Sequence, residues 1–237
     1  MTQELSLVLI ATISIAFIHT LTGPDHYLPF IVISKAKKWS LSKTAWFTAL
    51  CGLGHVGSSV ILGFVGIALG IAVGKLEFIE GVRGNLISWI FTAFGLMYLI
   101  WGIRHAIRNK PHQHIHFHST GDMHVHEHTH HDEHLHIHEN GEKRNLTPWI
   151  LFTIFVFGPC EPLIPLVMYP AAKHNYSALL LVTIIFSAVT IISMLSLVLI
   201  TSYGIKFLPM KAMEKYNHAL AGGTIFLCGM GMLFLGL

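Results

Sequence analysis

Four groups able to bind a cation or move a proton stand in apolar sequence in the first quarter of the chain: His19, Asp25, His26 and His55. Cys160 and Glu161 stand in an equally apolar stretch of the second half. Imidazole, carboxylate and thiolate together make a donor set for divalent transition metals, with thiolate favouring the softer ions. An ionised carboxylate at the centre of a bilayer costs at least about 2.5–3.5 kcal/mol on insertion scales. Asp25 and Glu161 therefore call for a compensating partner, either a bound cation or the imidazolium of His26. On an unbroken helix His19 and His26 would lie about 10.5 Å apart, too far to share an ion. The Gly23-Pro24 pair between them is what could fold them together. His55 follows Leu53-Gly54, with Cys51 one helical turn earlier on the same face. The competing reading is plain packing: a hydrogen-bonded histidine, a small buried thiol, and hydroxyls at Thr183, Ser187 and Thr190 that glue helices together.

The elements that must position these groups follow from composition. Of 237 residues, 53% are apolar and 11% are charged, where a water-soluble domain carries about 25% charged residues. Lipid is thus the expected solvent. The formal charge of +3 is too small and too scattered for a nucleic-acid surface. Cys51, Cys160 and Cys228 are an odd number in apolar surroundings, which argues against a disulfide framework. The opening Met1-Thr2-Gln3-Glu4 has no basic leader, so the first apolar stretch is expected to stay in the mature chain.

Crossing the hydrocarbon core takes about 20 apolar residues. On that scale spans are predicted near 5–34, 43–73, 84–107, 147–172, 176–204 and 213–236. Lys35, Lys37, Lys38 and Lys43, then Arg104, Arg108, Lys110, Lys143 and Arg144, then Lys206, Lys211 and Lys215 fall in the odd-numbered loops. The even-numbered loops hold Lys173, and Lys75 and Arg83 offset by Glu77 and Glu80. The charge bias puts the odd loops in the cytoplasm and both termini outside a cell (inner) membrane.

Gly23-Pro24-Asp25-His26 recurs as Gly158-Pro159-Cys160-Glu161, and Gly95 to Gly102 in the third span lines up with Gly229 to Gly236 in the sixth at nearly the same offset. Three spans per half set the copies in opposite orientations, the pattern of secondary transporters. Proline interrupts a helix by removing a donor and clashing with the preceding turn. Breaks are expected at Gly23-Pro24 and around Pro159, Pro162 and Pro165. The predicted fold is an all-α integral membrane protein of six transmembrane helices, arranged as two inverted three-helix repeats with broken first and fourth helices. One repeat covers 1–108, a histidine-rich cytoplasmic loop covers 109–146, and the second repeat covers 147–237.

Twelve of the eighteen histidines crowd into that loop. They alternate with other residues at His112, His114, His116 and His118, at His124, His126, His128 and His130 with His131, and at His134, His136 and His138. Period-two alternation puts them on one side of an extended strand. Such tracts bind nickel, zinc, cobalt or copper with little discrimination, and binding weakens in acid as imidazole protonates. The alternatives are a sensor or delivery arm and a solvated linker.

His19-Thr20-Leu21-Thr22-Gly23-Pro24-Asp25-His26 resembles the His-x4-Asp-His signature of the nickel/cobalt permeases, with one more residue between His19 and Asp25. Leu53-Gly54-His55 is similar to the Leu-Gly-His of their second span. The histidine loop between the third and fourth spans looks like that of nickel/cobalt resistance exporters. The wider superfamily includes urease-accessory-type membrane proteins, sulfite exporters and thiol-relay proteins of cytochrome maturation. The resemblance implies a secondary carrier of nickel, cobalt or zinc, export favoured by a small margin. His19, Asp25, His26 and His55 would handle the metal, with Cys160 and Glu161 beside them. No permanently bound cofactor and no enzymatic activity are expected. The expected partners are the bilayer, the transported ion and exchanged protons, with assembly into a homo-oligomer left open. Two alternatives stand beside this: a small-anion exporter of the sulfite type, and a transmembrane thiol-disulfide relay. The relay needs a thiol at each break, and the repeat partner of Cys160 is Asp25.

Overall fold

A computed structural model describes residues 3–108, 112–117, 123–128, 146–205 and 211–235, with side chains described for 3–108, 146–205 and 214–235. Outside one short hairpin the described chain is helical. The helices are α1 (Gln3–Thr22), α2 (Leu28–Ala36), α3 (Leu41–Ala68), α4 (Val73–Arg108), α5 (Thr147–Phe157), α6 (Leu163–Ala172), α7 (Tyr176–Ile205) and α8 (Asn217–Leu235). Five segments are long and apolar enough to cross a bilayer: α1, α3, α4, α7 and Glu214–Leu235, which contains α8. Large apolar side chains point outward along them, Ile200 72% and Leu227 69% exposed among many. That surface is stable only against lipid. The chain is a multi-pass membrane protein.

The expected fourth span is not a single helix. It is the pair α5 and α6, separated by Gly158 to Pro162. Gly158 leaves helical geometry at φ −64°, ψ 136°, and Pro159 and Pro162 supply no backbone donor to restart it before Leu163. The expected first span is likewise divided. The last bond of α1 runs from Gly23 N–H to the His19 carbonyl at 3.0 Å, a 3₁₀ turn covers Pro24–His26, and α2 begins at Leu28. A Cβ on Gly23 would lie 2.5 Å from His26 Nδ1 and 2.9 Å from Asp25 Oδ1, so any side chain there would push the His26 ring and the Asp25 carboxylate out of their present positions.

One expectation needs correcting. Lys75, Glu77, Glu80 and Arg83 do not form a connecting loop. They lie within α4, whose 36 residues extend about 54 Å at 1.5 Å per residue. Four charged side chains near its start keep that stretch out of the predicted span. A helix longer than the hydrocarbon core can carry them by tilting or by projecting beyond it.

Packing is tightest between α4 and α8. A Cβ added to Gly95 would meet Phe226 Cα at 2.7 Å, one on Gly102 would meet Ala219 Cα at 2.7 Å, and one on Gly222 would meet Leu99 Cα at 2.5 Å. Small residues let the two backbones touch, as van der Waals packing in lipid favours. Three apolar clusters complete the bundle. The first joins Ile33, Ile87, Phe91, Leu151 and Ile225. The second joins Ala16, Val56, Leu163, Val182 and Phe186 around Cys160. The third joins Phe30, Ile31, Phe155, Met194 and Val198 around Cys51.

From the histidine-rich segment, β1 (His112–Phe117) pairs antiparallel with β2 (Met123–His128), setting His112 opposite His128, His114 opposite His126 and His116 opposite His124. This agrees with the period-two alternation. His118, His130, His131, His134, His136 and His138 lie outside the described residues, as do the side chains of the hairpin, and with them the expectation of metal binding there.

Candidate functional site at the two helix breaks

Both breaks open onto one cavity of about 430 Å³, whose lining includes His19, Asp25, His26, His55, Ser88 and Glu161. Gly81 near the start of α4 and Met232 and Leu233 near the end of α8 border the same cavity. It therefore lies toward the end of the bundle opposite Arg108, where the histidine segment departs. His55 stands at the midpoint of α3, which sets the centre deep in the bundle.

The 3₁₀ turn accomplishes what an unbroken helix could not. The rings of His19 and His26 come to 4.7 Å between centroids, edge to face, and His26 and His55 to 5.0 Å. One ring nitrogen from each of the three lies within 4.8 Å of the others. His26 Nδ1 is 3.1 Å from both the Gly23 carbonyl and Asp25 Oδ1. A carbonyl can only accept, so Nδ1 carries the proton, which leaves Nε2 to face the cluster. That Nε2 is buried without a hydrogen-bond partner among the described residues, and the buried His55 ring has the Phe155 backbone as a polar neighbour outside the cluster. Such an orphan costs about 1–3 kcal/mol, which is the mark of a site built for something to occupy it.

Of the six residues expected at the centre, His19, His26 and His55 converge as donors. Asp25 reaches the cluster through His26. Glu161 lines the same cavity but is exposed and stands outside the histidine triad. Cys160 is fully buried, with Sγ 4.0 Å from His19 Nε2. Cys51 packs among Phe30, Phe155 and Met194.

Sequence reading missed a second polar layer. Arg83 Nη2 lies within reach of Ser58 Oγ at 3.1 Å, Ser59 Oγ at 3.0 Å, the Gly158 carbonyl at 2.9 Å and Glu80 Oε2 at 3.2 Å, and its two N–H groups are shared among these acceptors. Ser59 Oγ also accepts the Cys160 backbone N–H at 3.0 Å. The available signal was an arginine and a glutamate at i, i+3 leading into an apolar run, which marks function more often than a loop.

Residues 29–231 match the family model for the cytochrome c biogenesis protein transmembrane region. The chain belongs to this family. The match contains the fourth-span break but begins only after the first, at Pro29, and it overturns the resemblance to nickel/cobalt permeases and resistance exporters. Metal transport, the function which that resemblance implied, falls with it, and the thiol-relay alternative gains. The motif His19 to His26 and Leu53-Gly54-His55 misled because short histidine and glycine patterns mark polar positions in membrane helices, one at a break and one within the continuous α3, whatever they handle. No curated protein and no solved structure matches the chain at a significant level. Cytochrome c biogenesis proteins with a dithiol relay need two sulfurs in reach of each other, and this member departs from that need. Cys160 is anchored beside Ser59, eight residues along α3 from Cys51. About 12 Å of helix rise separates Ser59 from Cys51, and the two thiols pack in different apolar clusters.

Proposed function

We propose that this member of the cytochrome c biogenesis transmembrane family passes reducing equivalents across the bilayer by monothiol exchange, with Cys160 as the reacting sulfur. The observation that carries the reading is the placement of Cys160 at the fourth-span break, against His19 and one side chain removed from the cavity, in a chain of that family. The second sulfur comes from outside the chain. The Cys160 thiolate attacks one sulfur of an incoming disulfide, a mixed disulfide forms, and the other sulfur leaves as a thiolate. One thiol of the reductant then attacks the Cys160 sulfur of that mixed disulfide and releases the partner's remaining sulfur as a thiolate. A second reductant thiol attacks the reductant's sulfur now joined to Cys160, forms the reductant's disulfide and releases Cys160 reduced. His19 is placed to take the Cys160 proton and return it to the departing thiolate. In this reading α5 and α6 together make the fourth of six crossings, and two inverted halves rock about the shared cavity.

The test is covalent capture. Native membranes exposed to glutathione disulfide are expected to yield glutathione on Cys160, located by peptide mass. Cys160→Ser should remove the adduct, and Cys228→Ser should leave it. Equal labelling of the Cys160→Ser protein at other positions, or no adduct on Cys160 under any oxidant, defeats the reading.

A second reading concerns the same cavity. The converging donors of His19, His26 and His55 support a resident metal ion with an open fourth position. Three protein ligands with one position free is the form of catalytic zinc sites, and imidazole equally suits copper, nickel or iron. Asp25 on His26 Nδ1 is the outer-shell partner that fixes such a ligand's tautomer. An ion held there would polarise a sulfur bound in the cavity.

A further inference from the structure

We propose that Arg83 is the positioning residue for the Cys160 thiol, holding the fourth-span break in register with α3 through Ser59 and the Gly158 carbonyl. The inference rests on the reading of Cys160 as the reacting sulfur, but its geometry stands apart from the chemistry. The break from Gly158 to Pro162 has lost its helical bonds, so something else must satisfy its backbone at that depth. Two of its groups are claimed by one network. The Gly158 carbonyl accepts from Arg83 Nη2 at 2.9 Å, and the Cys160 N–H donates to Ser59 Oγ at 3.0 Å, which itself accepts from Arg83 at 3.0 Å. The network thus grips the residue two places before Cys160 and Cys160 itself.

All of the Arg83 contacts are made by one nitrogen, Nη2, of a guanidinium whose charge stays fixed at any working pH. Its charge is met one turn back on α4 by Glu80, which is wholly buried and 3.2 Å away. The Ser59 hydroxyl also reaches the Glu80 carboxylate, while Arg83 Nε is unpartnered among the described residues. The pair is therefore only partly satisfied. A buried ion pair is often no better than apolar residues of the same volume, so its hold on the break is the more telling role. With the break in register, Cys160 Sγ stands 4.0 Å from His19 Nε2; released, the thiol would lose that partner.

The three buried cysteines serve as internal reporters. In native membranes, maleimide labelling is followed at Cys51, Cys160 and Cys228 separately by peptide mass. Ser59→Ala, a small change that keeps the helix, and the charge-neutral double variant Arg83→Gln with Glu80→Gln are compared with the parent. Losing a hydrogen bond from a charged group should open the break and speed Cys160 labelling about tenfold or more, with Cys51 and Cys228 changed less than about twofold. Ser58→Ala, which leaves the Cys160 N–H bond in place, should label at the parent rate. Unchanged Cys160 labelling in Ser59→Ala overturns the proposal, and so does equal acceleration at all three cysteines, which means general loosening. Should Cys160 take no glutathione while its labelling still depends on Ser59, the exchange reading fails and the positioning stands.

Discussion

Cobalt(II) added to the purified protein lacking residues 112–138 is expected to bind at one site, seen as visible absorption, and His55→Ala is expected to abolish it. The deletion removes the histidine tract, whose own binding would mask the centre. His55 contributes one of three converging nitrogens, and its ring is buried at the centre of the bundle. Losing an outer-shell partner typically costs about 10–100-fold in affinity, so losing a ligand should exceed that range, while Asp25→Asn, which disturbs only the His26 tautomer, should fall within it. Binding should weaken as pH falls, because imidazole must shed its proton to ligate. Equal affinity in the parent and His55→Ala proteins would dismiss the resident ion. It would leave the thiol reading untouched, since that one depends on Cys160.

The second large effect concerns the α4–α8 seam. Exchanging glycine for alanine inside a helix ordinarily gains about 0.5–1 kcal/mol. Gly57 on α3, with nothing within 4 Å of its added Cβ, should follow that rule. Gly222 should reverse it. There the Cβ would overlap the Leu99 backbone, with Cα at 2.5 Å and the Tyr98 carbonyl carbon at 2.7 Å. Backbone cannot rotate away as a side chain can, so the helices must part. Overpacking of this kind costs about 1–3 kcal/mol and occasionally more, and Gly222→Ala is placed at the upper end. Thermal unfolding in detergent should show opposite shifts for the two variants. A stabilised Gly222→Ala protein would mean that the close approach of α4 and α8 is wrong. The cavity wall would be affected too, because Ile87, Ser88 and Phe91 on α4 and Met232 on α8 line it.

Much of the architecture is legible in the sequence because lipid imposes strong rules. A shortage of charge, runs of about 20 apolar residues and prolines inside two of them are enough to predict helical spans and both interruptions. The boundaries of α7, Tyr176–Ile205, come within a residue of the predicted 176–204. The start of α4 is misplaced because its charges read as those of a loop, when Glu80 and Arg83 neutralise each other inside the bundle. The three histidines that converge are among the groups the sequence singles out. Their chemistry is not legible there, because a donor set says what could bind and nothing of what does.

By itself, then, the order of residues determined a helical membrane protein with polar groups at two proline breaks, since hydrophobic length and missing backbone donors act locally along the chain. Which groups meet was decided only by the tertiary fold. The 3₁₀ turn brings His19 onto His26, α3 carries His55 to them, and Arg83 crosses from α4 to hold Cys160 in place. Those contacts join residues up to 101 positions apart, and their angles depend on how closely glycine lets neighbouring helices approach, which no local pattern encodes.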